Sequence, residues 1–454
     1  MTSATSTRRL ALTIFLGSAL SAGCGSSSSN SGPDGTATPQ IAFGSHTAMY
    51  TAGVIHPSGS QDELDAAVKA KYQQWKATYL VQGCNGYYVC AADVATNCNK
   101  DGMALLKNGG IGPDGQPLDQ TLTVSEGHGY GMLIAVLMAG LEPDARTIFD
   151  GFLTVRKNLP SPYNANLMAW QMNAGCAGPS PDDNDAATDG DLDSAFALLM
   201  AAKQWSSPKY GQEARDVIQA VSDREMNPTT HLPLLGDWAL ASDEVMDNIQ
   251  DYYATRLSDH MTDHFRSFQT ANMNGGFDWS AAVTAVYDLM DKLQTTYAPM
   301  TGLVPDFVSD TNTDTPKPIS VDYADTVLGE DLTTNYDYNS CRVPWRLGTD
   351  YVMKGEPKAK AVLTKMNDFI KMKTGGDPTM ILDGYSFAGV PHTDAGPNGC
   401  FTGSFGVSAM IDSSNQAWLD AIWKNLAASK TDDYYGDTIT LISMIIMSGN
   451  WWNP

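Results

Sequence analysis

Beyond residue 44 the chain alternates apolar stretches at helical spacing with polar connections. Apolar residues recur three and four positions apart in the windows 63–79, 129–139, 192–205, 212–224, 247–269, 280–297, 343–353, 359–373 and 417–429, the period of a helix with one buried face. Alternation of period two, the mark of a half-buried strand, is scarce. These windows predict an all-α domain of stacked helical hairpins. Between them lie long loops rich in Gly, Pro, Asn and Asp, at 173–190, 311–338 and 375–397. Loops of that length inside a compact domain usually carry function. No shift in composition marks a second boundary, so residues 44–454 are expected to form one domain.

The pattern differs at the N-terminus. Arg8 and Arg9 precede an apolar run over 10–20 that is too short to span a bilayer, which predicts an export signal over 1–24. Ala22, Gly23 and Cys24 resemble a bacterial lipoprotein cleavage site, where Cys24 would be acylated and become the first mature residue. Cleavage by an ordinary signal peptidase and twin-arginine export are the alternatives. Residues 25–43 begin as "GSSSSNSGPDG" and read as a flexible tether, with nothing apolar in that run to anchor a fold. The expected location is therefore extracellular or on the outer cell surface, with the membrane reached only through the lipid anchor. Cys84, Cys90, Cys98, Cys176, Cys341 and Cys400 are an even number in an oxidising compartment and predict disulfides, with the pairing open.

A net charge of -23 excludes a nucleic-acid partner, which needs a basic patch to displace counterions. It leaves two readings, solubility outside the cell and attraction for cationic ligands. No C-x-x-C pair points to zinc. His260 and His264 lie four apart on one helical face, as in zinc proteases, but Met261 stands where that motif has its glutamate. No metal and no cofactor are expected.

Three stretches place acids at helix starts beside small residues and aromatics. The first runs from Ser125 to Met132 and holds Glu126 among Gly127, Gly129 and Gly131. A cap at Ser125 explains the acid's position, and the glycines read as bulk removed to open a wall for a ligand. The second, "ATDGDLDSAF", alternates Asp189, Asp191 and Asp193 before an apolar run. One N-cap accounts for one aspartate, not three. The third, "YDYNSCRVPWRLGTDY", carries Asn339, Arg342, Trp345 and Arg346.

Together these stretches resemble glycoside hydrolase family 8, whose signature A-[ST]-D-[AG]-D is met by Ala187, Thr188, Asp189, Gly190 and Asp191 and closed by Trp205. Ser194 departs from the family's Ile or Met at a packing position. The stretch "LMAWQM" around Trp170 resembles the family's as well. The resemblance implies an (α/α)6 barrel and inverting endo-hydrolysis of β-1,4-linked polysaccharide by a monomer. Inversion needs one carboxylic acid to protonate the leaving oxygen and one carboxylate to activate water, roughly 6.5 to 9.5 Å apart. By resemblance Glu126 is the donor, Asp189 matches the aspartate marked as catalytic, and Asp191 would hold the sugar. The commonest branch has its base where Asn339 stands, and an amide takes no proton. A second branch with this asparagine takes its base from an upstream loop, which points to Glu330, with Asp331, Asp325 and Asp337 as alternatives.

Arg256 and Asp259 resemble a family stretch that lines the cleft. Tyr130, Trp170, Trp238, Trp279 and Trp345 are candidate sugar platforms, since a pyranose face stacks on a ring; for each one a core position is the other reading. The asparagine branch and the acidic charge tilt the substrate toward chitosan, with cellulose-like or mixed-linkage β-glucan as the alternative. A binding lipoprotein that lost its chemistry is the reading from a different class.

Overall fold

The computed structural model describes residues 38–91, 98, 121–179, 184–240, 249–271, 276–319 and 335–454. Its long helices are α1 (Gln61–Tyr79), α2 (Ser125–Leu137), α3 (Ala145–Lys157), α4 (Thr188–Gln204), α5 (Pro208–Arg224) and α6 (Thr262–Ala271). They continue with α7 (Trp279–Thr296), α8 (Val343–Lys354), α9 (Pro357–Thr374), α10 (Gly399–Ala409), α11 (Gln416–Ala428) and α12 (Tyr434–Met447). The chain is mostly helical, close to the all-α expectation, with short strands joining some of the helices.

Two kinds of helix alternate along the chain, and their sequences say why. The odd-numbered helices are amphipathic: α3 buries Ile148, Phe149, Phe152, Leu153 and Val155, and α5 buries Tyr210, Ala214, Val217, Ile218 and Val221. A one-sided stripe of this kind packs one face and wets the other. Even-numbered helices such as α2, α10 and α12 are buried on almost every side. Each even helix packs on its odd neighbour: α2 on α3, α4 on α5, α6 on α7, α8 on α9, α10 on α11, and α12 on α1. The even helices also pack on one another in chain order, and α12 returns to α2.

Short strands sit at the helix ends and aim the chain. β1 (Leu80–Gly83) and β2 (Gly86–Val89) form a hairpin. β3 (Thr121–Val124) pairs antiparallel with β4 (Gln171–Asn173), with Val124 opposite Gln171, and runs directly into Ser125 and Glu126. β5 (Thr255–Arg256), β6 (Phe307–Ser309) and β7 (Lys317–Pro318) form a third sheet with Arg256 opposite Phe307. Disulfides join Cys84 to Cys176, Cys90 to Cys98 and Cys341 to Cys400, which uses all six cysteines named above and fits a chain that matures in an oxidising compartment. Among the described residues no helix is long and apolar enough to cross a membrane.

Some expectations need correction. The window 247–269 is not one helix: after a short turn at Ile249–Tyr252 the chain becomes β5 and a 3-10 turn, and only α6 continues as helix. The apolar spacing there spans three elements that bury into the same core. α3 follows a clean helical spacing that the sequence windows passed over, and α10 and α12 are too uniformly apolar to show a period. The tether expected to reach residue 43 ends earlier, because Ile41 and Phe43 pack on the core and the Phe43 amide donates to the Ala139 carbonyl at 2.8 Å. Cys24 lies outside the described residues.

Candidate active site

Glu126 stands in the first turn of α2, where the helix dipole favours a carboxylate. The strand before it fixes its position, since the Ser125 amide donates to the Trp170 carbonyl at 2.7 Å. Asp189 stands in the matching turn of α4, and its Oδ1 takes the Gly190 amide at 2.9 Å. The two helices approach closely: a Cβ on Gly129 would lie 2.8 Å from Asp193 Cβ, and one on Gly190 would lie 2.5 Å from the Ser125 backbone. Gly127 faces the Tyr434 ring and Gly131 faces Phe152. The glycines of this stretch therefore serve helix packing, not an opened wall.

Arg342 joins the two acids. Its Nη1 lies 2.5 Å from Glu126 Oε2, 2.9 Å from Asp189 Oδ2 and 3.2 Å from the Tyr130 hydroxyl, while Nη2 donates to Asn339 Oδ1 at 2.9 Å. Arg256 reaches Asp189 Oδ1 at 3.1 Å from the other side and holds Asp259 through Nε. Tyr434 closes the site from α12, donating its hydroxyl to Glu126 Oε1 at 2.7 Å. Glu126, Tyr338, Asn339, Arg342, Asp383, Asn398, Asp433, Tyr434 and Tyr435 line a cleft of about 720 Å³.

The charges divide the acids. Burial pushes the Glu126 carboxyl above its ordinary range; Arg342 and the Tyr434 hydroxyl pull it down, the Asp189 charge raises it, and the balance stays upward. Burial alone would raise Asp189 too, but Arg256 and Arg342 outweigh it and hold that carboxyl low. The same buried setting thus shifts the two acids in opposite directions, Glu126 upward and Asp189 downward. Asp259, buried beside Arg256, is pushed up to about 6.

Other expected site residues lie behind this front. Asp191 is fully buried, ion-paired with Arg156 and bonded by the Met168 amide at 3.2 Å, so its carboxylate is committed to protein partners rather than to a sugar-binding surface; burial pushes it up to about 6. Tyr130 and Trp345 are buried beneath Arg342 and Arg346, and Trp279 packs among Phe265, Phe268 and Phe277. None of the three offers a free ring face: α2 and α8 carry Tyr130 and Trp345 into the core, and Trp279, at the start of α7, is enclosed by the phenylalanines. Trp238 packs on a small cluster with Leu235 and Phe307. Trp170, whose carbonyl takes the Ser125 amide, is 38% exposed and is the most open of the candidate platforms.

Asn339 is spent at both ends: its amide nitrogen donates to Asp306 Oδ2 at 3.1 Å and its oxygen accepts from Arg342. Asp337 is nearly buried, taking the Tyr338 amide and facing His392 at 3.3 Å. Glu330, Asp331 and Asp325 lie outside the described residues. His260 precedes α6 and meets Thr255 at 3.0 Å, whereas His264, within α6, meets Asp193 at 3.0 Å and stacks on Phe196, so the two do not share a helical face as expected.

Sequence reading missed Tyr434, Tyr435, Asp306 and the buried pair of Asp193 with Arg346, whose two bonds measure 2.8 and 2.6 Å. A signal for the tyrosines was present. "DDYYGD" before an apolar run has the same acids, aromatics and glycine as the stretches around Glu126 and Asp189.

The chain is similar to known proteins along most of its length. The chain is 40% identical to a beta-glucanase of Niallia circulans over 421 residues, 92% of each chain. It is 34% identical to an endoglucanase of Bacillus sp. (strain KSM-330), over 89% of this chain and 80% of the relative. The apo structure of a beta-1,3-1,4-glucanase from Paenibacillus sp. X4 superposes with a TM-score of 0.79 at 38% identity, covering 92% of this chain and all of that one. Rex8A from Paenibacillus barcinonensis, solved with xylose, shares the fold at a TM-score of 0.65 and 18% identity. With Arg342 joining Glu126 and the signature Asp189 beside the cleft, the chain belongs to glycosyl hydrolases family 8, which it matches over residues 66–449.

Proposed function

We propose that this protein is an exported endo-β-glucanase that hydrolyses β-1,4 bonds of cellulose-like or mixed-linkage glucan with inversion, in an (α/α)6 barrel whose six inner helices are α2, α4, α6, α8, α10 and α12. The observation that carries the chemistry is Arg342 bridging Glu126 and Asp189, with burial shifting the first toward its protonated form and the arginines holding the second low. Glu126 gives its proton to the leaving oxygen. The Asp189 carboxylate faces the positive charge that builds on the sugar ring. Asn339, with both ends of its amide engaged, takes no proton, so the water-activating base is assigned to Glu330, with Asp331 or Asp325 next in line. Trp170 offers a sugar platform, and Arg256 and Asp259 keep Asp189 in place.

β-Glucan replaces chitosan as the favoured substrate. The chitosan tilt rested on net charge and the asparagine branch, whereas the relatives above, at 40% and 38% identity, are named for β-glucan. The intact trio of Glu126, Asp189 and Arg342 argues against a binding protein without activity. The export signal and the three disulfides support a place outside the cytoplasm, with Cys24 as the lipid anchor.

Reducing-sugar release from mixed-linkage glucan, carboxymethyl cellulose and chitosan tests the proposal, run with wild type and Glu126→Gln. Wild type should act on the two glucans far faster than on chitosan, and Glu126→Gln should lose activity by about 10³-fold or more, since an amide cannot donate the proton. Preference for chitosan would overturn the substrate class, and near-normal turnover in the variant would remove Glu126 from the mechanism.

A further inference from the structure

The two oxygens of Glu126 have partners of different chemistry. Oε2 faces the Arg342 guanidinium, which only donates and does not lose its charge. Oε2 must therefore stay an acceptor, and the proton to be transferred belongs on Oε1. Among the described residues Oε1 is hydrogen-bonded by the Tyr434 hydroxyl alone, a group that can give or accept.

Tyr434 and its neighbour open α12. The Tyr435 hydroxyl donates to the Tyr338 carbonyl and lies 3.4 Å from Cys341 Sγ and 3.6 Å from Cys400 Sγ. Cys341 Sγ in turn lies 3.0 Å from the same Tyr338 carbonyl. The Cys341–Cys400 disulfide ties the turn before α8 to the first turn of α10 across 59 residues. Asn398, which caps α10, donates to Asp433, which caps α12, at 3.1 Å. One clamp thus holds both partners of the acid: Arg342 follows Cys341 in the chain, and Tyr434 precedes Tyr435.

We propose that the Tyr434–Tyr435 pair, anchored by the Cys341–Cys400 disulfide, is a positioning unit that aims Oε1 of Glu126 at the glycosidic oxygen. The inference rests on the reading of Glu126 as proton donor. The charged and titratable groups that face Glu126 are Arg342 from the turn before α8, Asp189 from α4, Arg256 from β5, Tyr434 and Tyr435 from α12, and Tyr130 from its own helix. Of these, Tyr434 alone bonds Oε1. Its hydrogen bond favours the ionised acid, so its removal moves the Glu126 pKa further up and carries the alkaline limb of kcat/KM to higher pH.

The test compares pH profiles of kcat and KM on mixed-linkage glucan for wild type, Tyr434→Phe, Tyr435→Phe and the double variant Cys341→Ala/Cys400→Ala, with Glu126→Gln alongside. Tyr434→Phe should lose about tenfold in kcat with KM within about twofold, and its alkaline limb should move up. The cysteine variant and Tyr435→Phe should lose kcat in the same sense, by about three- to tenfold, with wild-type circular dichroism. If the cysteine pair proves necessary for folding, Tyr435→Phe keeps the disulfide and decides alone. A Tyr434→Phe limb at the wild-type position, or wild-type kcat in the variants of Tyr435 and the cysteines, overturns the proposal. An active Glu126→Gln overturns the donor assignment beneath it, whereas an inactive one beside an unmoved Tyr434→Phe limb sinks the positioning unit alone.

Discussion

Arg342 is the residue on which most of the site depends. It is buried, and its guanidinium meets Glu126, Asp189, Tyr130 and Asn339 at once. That geometry needs a planar fork with several donors; a lysine ammonium is a single point charge and cannot serve all four. Arg342→Lys should keep the fold and lower kcat/KM on β-glucan by about 10²-fold, since a charge-assisted hydrogen bond carries about 1.5–3 kcal/mol and at least one is lost. Steady-state kinetics of the purified variant check this, and a loss of less than about threefold would show that the bridge is dispensable. Glu126, Asp189 and Arg342 were all legible in the sequence, because each sits in a short motif with its neighbours. The "DDYYGD" stretch could mark Tyr434 as a candidate, but its contact with Glu126, 308 positions away, exists only once the fold brings them together.

At the scale of elements, the site exists because α2 and α4 pack with almost no space between their first turns. Gly190 touches the Ser125 backbone, one residue before the donor acid, and the buried Asp193 with Arg346 and His264 fills the space below. An added methyl at Gly190 meets backbone atoms that cannot swing aside. Gly190→Ala should therefore destabilise by about 1–3 kcal/mol, the usual range for overpacking, and should lower activity as well, since the strain is relieved by moving the turn that carries Glu126. Urea unfolding followed by circular dichroism measures the first effect. A wild-type midpoint would mean that the helices are free to separate. The glycines were visible in the sequence, but their meaning was misread: a missing side chain next to an acid suggests room for a ligand, and only the packing reveals a neighbouring helix in that room.

For the whole molecule, helical periodicity gave the mainly helical class and most of the helix positions, but not the short strands. It failed where the sequence carries no period, in the uniformly apolar α10 and α12, and where one apolar run serves several elements, as in 247–269. Tyr130, Trp279 and Trp345 show the same limit from the other side, since an aromatic ring near an acid in sequence is as readily a core residue as a platform. Disulfides could be expected from an even count of cysteines, but their pairing joins residues as far as 92 positions apart and depends on the finished fold. The proposed chemistry makes one demand that is independent of any variant: water must reach the sugar from the face opposite Glu126. Proton NMR of the first minutes of mixed-linkage glucan hydrolysis reads this directly. The α-anomer of the new reducing end should appear first and then equilibrate, whereas a β-anomer formed first would mean retention and would contradict the mechanism.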